Sequence, residues 1–240
     1  MPSPILAAVS SLLFLPAPVD AHGDLFSLNV PLWTLSFELL VNLVYALTFR
    51  WLTTRVLGTV AMLGAVAMIA VSVAHGTFDV GAEVGMAVGG LGRSIWGFSA
   101  GILICRLAPR LSAAPLGLTL LLVVAALCVP LPPNLRLLYD IAFALTGAPL
   151  LGGSAARLEP QGVMLRFAKF LGAISFPLYA IHQPVLLAAI AVSYFTDTSE
   201  LLVGAFTIVL LLVASYVLAD RYDRPAREHL SKLFRRDSPA

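Results

Sequence analysis

The sequence predicts an all-α fold, a polytopic bundle of about seven transmembrane helices with an N-terminal helical stub. Three observations predict it. Of 240 residues, 59% are hydrophobic and 12% charged, against roughly 45–50% and 25% in soluble domains, and the mean hydropathy is +0.93. Apolar runs recur along the whole chain, each near the roughly 20 residues that a helix needs to cross the hydrocarbon, without the apolar-polar alternation of a transmembrane barrel. Finally, the cations fall on alternate connections between these runs, the arrangement by which loop charge orients a membrane protein.

The elements follow in order. Residues 4–15, PILAAVSSLLFL, are apolar but too short to span, and they lack the basic region and small-residue cleavage site of a signal peptide. They are expected to be the outer part of a helix whose inner part would precede residue 1, as in an N-terminally truncated chain. Spans are expected at 31–49, 56–74, 87–107, 115–131, 137–153, 170–193 and 201–219. Pro130, Pro132 and Pro133 mark a tight loop between the fourth and fifth. The connections leave no room for a soluble domain, so residues 1–240 are expected to form a single membrane domain.

Arg50 and Arg55 follow the first span, Arg106 and Arg110 the third, Arg157, Arg166 and Lys169 the fifth, and Arg221, Arg224, Arg227, Lys232, Arg235 and Arg236 the seventh. That places 13 of the 15 cations on alternate connections, with Arg93 and Arg136 as exceptions. The opposite connections hold Asp20, Asp24, Asp79, Glu83, Asp197 and Glu200. These are expected outside, and the C-terminal tail in the cytoplasm.

Several function classes lack support. A net charge of +2 is too small to suggest a nucleic-acid partner. Cys105 and Cys128 lie in apolar runs and are expected to be buried small side chains, neither bridged nor metal-bound. No G-x-S-x-G, H-E-x-x-H or clustered Cys/His pattern occurs, so no metal is expected. His22, His75 and His229 fall near loops or the tail and are expected to be solvated. Gly81, Gly85 and Gly89, and then Gly97 and Gly101, are expected to serve close helix packing.

Ionisable residues within spans carry the functional signal, because each is costly unless it is paired or faces a cavity. Glu38 lies roughly 10 Å below the start of the first span, with Asn42 at i+4 and Tyr45 at i+7 on the same helix face. Trp33 stands a turn earlier, where an interfacial aromatic is the ordinary reading. His182 sits mid-way along the sixth span beside Tyr179, between Pro177 and Pro184, each of which removes a backbone donor and is expected to break the helix near Ala173 and Ala180. Arg93 is expected to snorkel to the boundary.

Two strings add a resemblance. PLWTLSFELLVNLVYAL at 31–47 resembles the W-S-L-x-x-E signature of the acyltransferase 3 family, integral membrane acyltransferases of surface polysaccharides and exported molecules. LGAISFPLYAIHQPVLL at 171–187 is similar to its L-G-x-I-S-Y-x-L-Y-x-x-H-x-P segment. IWGFSAGILICRL at 95–107 and YDRPAR at 222–227 resemble two further family segments, in order, with Asp223 where the family has Glu. The resemblance implies a membrane O-acyltransferase in the cytoplasmic membrane. It would take an acyl group, acetyl in the simplest case, from acyl-CoA as donor substrate, with no bound cofactor, and deliver it to a carbohydrate hydroxyl outside. It carries Trp33, Ser36 and Glu38 over from the first motif, and Ser175, Tyr179, His182 and Pro184 from the second. Glu38 and His182 are then the expected catalytic residues, and Trp33, Ser36, Asn42 and Tyr179 the substrate-binding ones. The family's opening helices, with an Arg-rich segment and the His usually held to be its base, would precede residue 1.

A second reading, a transporter or channel subunit with Glu38 and His182 along a polar path, is discriminated by an inverted internal repeat, and the sequence holds none. In either reading the lipid bilayer is a partner, and the sequence does not specify an oligomeric state. The alternation of cations predicts that a reporter fused after Arg236 is active only as a cytoplasmic reporter, and one fused at Asp79 only as an external one. The reverse pattern overturns the orientation.

Overall fold

In the computed structural model of the chain, the described residues are 4–17, 23–107, 116–156, 158, 160–196 and 198–235. Arg110, Arg157, Arg236, Asp20, Asp197 and His22 lie outside them. The described residues are helical, with one isolated antiparallel bridge between Asp24 and Glu83. They form two compact units, residues 1–159 and 160–240.

In the first unit, α1 (Pro4–Leu12) is the expected short stub. Then come α2 (Leu32–Thr48), α3 (Thr54–His75), α4 (Ala87–Leu107) and α5 (Leu116–Cys128). A last long helix consists of α6 (Pro133–Ala142), a π turn (Phe143–Gly147) and α7 (Ala148–Ala155). The second unit pairs α8 (Gly162–Thr196) with α9 (Glu200–Leu218), which continues through a π turn (Ala219–Asp223) into α10 (Arg224–Arg235). Among the described residues, five helical segments have the length and composition of a membrane span, while α2 and α5 are apolar but shorter. Their outward faces carry Leu39, Leu43 and Leu47 on α2, Met62, Leu63 and Val66 on α3, and Phe206, Val209 and Val213 on α9. Apolar surface on this scale fits lipid and not water, and the protein is a multi-pass membrane protein. Cys105 and Cys128 are free but exposed, not buried as expected. A small apolar thiol on an outward face needs no packing partner in such a protein.

Each unit is built on one helix-helix contact. The most extensive contact of the first is α3 against α4, which cross at Gly64 and Gly92. A Cβ added to Gly92 would stand 2.7 Å from the Gly64 carbonyl oxygen, and one added to Gly64 would stand 2.8 Å from that of Gly92. Small residues at a crossing let two backbones touch, which is how helices associate where water supplies no hydrophobic drive. Arg106 closes the same pair at its other end, donating to the Leu52 carbonyl at 2.9 Å and to Thr54 Oγ1 at 3.2 Å. In the second unit α9 turns Thr207, Leu211 and Ser215, spaced i, i+4, i+8, inward from its exposed apolar face.

The prolines act differently from expectation. α8 is continuous through Pro177 and Pro184, so neither breaks it. The wide turns lie instead just before Pro149 and Pro225. The Ala148 N–H bonds back five residues to Phe143 O, and the Arg224 N–H back five to Ala219 O. Widening to π geometry relieves the clash between a proline ring and the preceding turn. Pro133 opens α6 as a first-turn residue, where its missing N–H costs nothing.

The glycines divide by position. Gly92 is fixed by backbone, whereas nothing lies within 4 Å of a Cβ added at Gly97. Gly92→Ala should therefore destabilise the protein by about 1–3 kcal/mol through overpacking, and Gly97→Ala should be neutral or slightly stabilising. Thermal unfolding of the purified variants in detergent checks both.

Candidate active site

The first unit holds a half-open cavity of about 960 Å³ between α2, α4 and the α6–α7 helix. It is long: from Arg93 to Ile104 along α4 is eleven residues, about 16 Å. Its polar residues gather where α2, α4 and α6 begin, and include Thr34, Glu38, Arg93, Arg136 and Asp140, with Asp79 from the α3–α4 connection. Its other end is lined by Gly101, Ile104, Ala144, Ala148 and Pro149.

Glu38 faces this cavity together with Asn42, as their shared helix face predicts. The Asn42 side chain donates to the backbone carbonyl of Glu38 at 2.8 Å, which leaves the carboxylate of Glu38 to the cavity. That carboxylate forms no ion pair among the described residues. Tyr45 meets the cavity wall indirectly, its ring edge-on to Phe98 at 5.3 Å. Ser36 lies about 200° around the helix from Glu38 and is not among the lining residues.

Trp33 is not an interfacial aromatic facing outward. It is buried, edge-on to Phe37 at 5.9 Å, and its ring occupies the space left by two glycines. A Cβ on Gly81 would lie 2.4 Å from that ring and one on Gly90 2.9 Å. Gly81 also has φ +133, so both its backbone and its neighbour require glycine. The loop is held in place by a two-rung pairing, in which Leu25 N–H donates to Ala82 O at 2.8 Å and Val84 N–H to Gly23 O at 3.0 Å.

Sequence reasoning missed two groups. Arg93 does not merely snorkel. It lines the cavity, with its guanidinium 4.9 Å from the Phe78 ring centre and 5.9 Å from that of Trp33, within cation–π range. Arg136 lines it too, paired with Asp140 at 3.0 Å. The signal was present, because these are the two cations that break the alternation. The second group is Gly97 and Gly101, expected at a helix contact but lining the cavity, with open space where a Cβ would be.

One hydrogen bond ties α4 to the wall formed by the α6–α7 helix. In the five-residue register of the π turn, Pro149 would have donated to the Ala144 carbonyl, and proline has no N–H to give. Trp96 Nε1–H donates to that carbonyl at 2.9 Å, satisfying a group that hydrocarbon could not.

In the second unit, His182 Nδ1 lies 2.7 Å from the Tyr179 carbonyl oxygen, and the two rings are 5.4 Å apart. A carbonyl only accepts, so Nδ1 is the donor of this bond. Ser175 is spent on its own helix, donating to the Gly172 carbonyl at 2.9 Å. Among the described residues no cluster of His, Cys, Asp and Glu could hold a metal.

A polar-headed, apolar-ended cavity in a multi-pass membrane protein suits a substrate of mixed character. The sequence profile of an acyltransferase domain, that of the acyltransferase 3 family, matches residues 3–220. The chain belongs to the acyltransferase 3 family. No curated protein and no solved structure matches it. As an acyltransferase 3 protein it is a membrane acyltransferase, and the match runs through both units, from the stub to the turn that ends α9.

The Trp96 bond gives a direct test of the turn chemistry. Trp96→Phe should cost about 1–3 kcal/mol, the penalty for an orphaned carbonyl. Pro149→Ala restores the missing donor, so the double variant should recover most of the loss. A double-mutant cycle from unfolding midpoints measures that coupling.

Proposed function

We propose that the protein is an O-acyltransferase of the cytoplasmic membrane. It carries an acyl group, acetyl in the simplest case, from acyl-CoA inside to a carbohydrate hydroxyl outside, with its C-terminal tail in the cytoplasm and its two units acting as one membrane domain. The observation that supports this reading best is the elongated cavity, with an unpaired carboxylate at its polar end and an apolar stretch beyond it, in a chain of this family.

In this reaction the acceptor oxygen attacks the thioester carbonyl carbon while Glu38 takes the hydroxyl proton. The tetrahedral intermediate collapses with cleavage of the C–S bond. The sulfur leaves with that proton as the free thiol of coenzyme A, and the ester stays on the sugar. General-base help of this kind contributes roughly 10²–10⁴-fold. Trp33 and Asn42 line the acceptor's path. His182 and Tyr179 serve as substrate-binding or proton-handling groups. The basic connections around Arg50, Arg55, Arg166 and Lys169 attract the phosphates of the coenzyme.

Glu38→Gln and His182→Ala should each lower transfer of labelled acyl groups to extracytoplasmic carbohydrate by about 10²-fold or more. Protein levels in the membrane, followed by immunoblot, should stay unchanged. Normal transfer in both variants overturns the assignment.

A further inference from the structure

Arg93 and Arg136 break the charge alternation together, and the same cavity receives both. Arg136 is answered by Asp140 at 3.0 Å. Arg93 is not: it has no ion pair and no hydrogen bond among the described residues. Its guanidinium is nonetheless held in place by Phe78 and by Trp33, which Gly81 and Gly90 admit. Aromatic rings engage the face of a guanidinium and leave its N–H edge free, a fork whose spacing matches the two oxygens of a carboxylate.

Arg93 lies six residues after Ala87, where α4 begins, and Glu38 six residues after Leu32, where α2 begins. A Cβ on Gly90 would meet the rings of both Trp33 and Phe37, so α4 packs just before Arg93 against α2 just before Glu38, and the two charges line neighbouring parts of one cavity. They do not pair with each other. Asp79, which shares the cavity mouth, pairs with neither. An unpaired cation and an unpaired carboxylate in neighbouring parts of one cavity, each costly within the membrane, leave room for a ligand that answers both.

We infer that the acceptor is an acidic carbohydrate. Its carboxylate takes the N–H fork of Arg93, which presents the hydroxyl to be acylated toward Glu38. The inference rests on the acyltransferase reading above. The coenzyme's phosphates are the poorer occupant, because Arg93 lies at the end of the bundle that carries Asp24, Asp79 and Glu83, opposite the basic connections.

The test uses the full chain in lipid nanodiscs and two probes that differ only at C6, methyl glucuronide with a carboxylate there and methyl glucoside with a hydroxymethyl group, with binding followed by equilibrium dialysis. The wild type should bind the glucuronide about 10-fold or more tightly than the glucoside. Arg93→Gln should bring the two within about twofold, and Arg93→Lys, which keeps the charge but not the fork, should retain an intermediate preference. Equal binding of both probes by the wild type, or a preference that survives in Arg93→Gln, overturns the inference. Acyl transfer from acyl-CoA, assayed in the same nanodiscs, separates the two claims. Transfer to both sugars without a binding preference leaves the acyltransferase reading standing and removes the acidic acceptor. A preference that depends on Arg93, with transfer to neither sugar, upholds the acidic site and removes the assigned reaction.

Discussion

Gly92 has no side chain, and so the backbone of α4 meets that of α3 at Gly64. The rest of the first unit depends on this crossing. With 3.6 residues per turn, a helix pinned through Gly89 and Gly92 has no freedom to rotate, and its remaining faces are set. Arg93, Gly97, Gly101 and Ile104 then turn to one side, where the open space along α4 becomes a cavity because two of the four have no side chain to fill it. The α6–α7 helix closes the opposite wall, and the bond from Trp96 to Ala144 ties it to α4.

That bond shows how the membrane constraint spreads. Pro149 bars an α turn, the turn widens, and a carbonyl loses its donor. In water the loss would be minor, since solvent would fill it. In hydrocarbon it demands a donor from elsewhere, and an indole on the neighbouring helix provides one. The wide turn, the tryptophan and the cavity wall are thus one arrangement, and its cost falls on the place where α4 and α7 must stay together.

Much of the fold was legible in the sequence. Apolar length marks helices directly, and the runs at 56–74, 87–107 and 201–219 lie within or nearly coincide with helices at Thr54–His75, Ala87–Leu107 and Glu200–Leu218. Glu38 was legible too, because a carboxylate in an apolar run has few tolerable surroundings. Gly81 and Gly89 pack closely as their spacing suggests, but Gly97 and Gly101 do not. Gly97 and Gly101 have the spacing of a packing motif, yet Gly92 makes the contact, since spacing names a helix face without naming its neighbour. The proline turns escaped for a related reason. Pro177 and Pro184 look like breaks and are carried within an α-helix, whereas Pro149 and Pro225 look unremarkable and widen theirs. A proline states what it removes, and the surrounding helix determines how the loss is absorbed. Trp33 looked interfacial because its depth is readable from sequence and its direction is not.

The two misplaced arginines carry the most information per residue. A cation off the connections that carry the other cations breaks the charge alternation and must be solvated where little water is at hand. Arg136 meets that cost within the chain, through Asp140 one turn along α6. Arg93 has two aromatic faces and, among the described residues, no ion pair. Aromatic rings attract a cation without neutralising it, so they can hold a guanidinium in place while leaving its charge available. A carboxylate neighbour would have stabilised Arg93 better and would also have silenced it. The same holds for Glu38, whose Asn42 partner bonds to the backbone and not to the carboxylate. Two charges kept apart in one cavity, each positioned by groups that do not quench it, are poorly arranged for the stability of the empty protein and well arranged for a substrate.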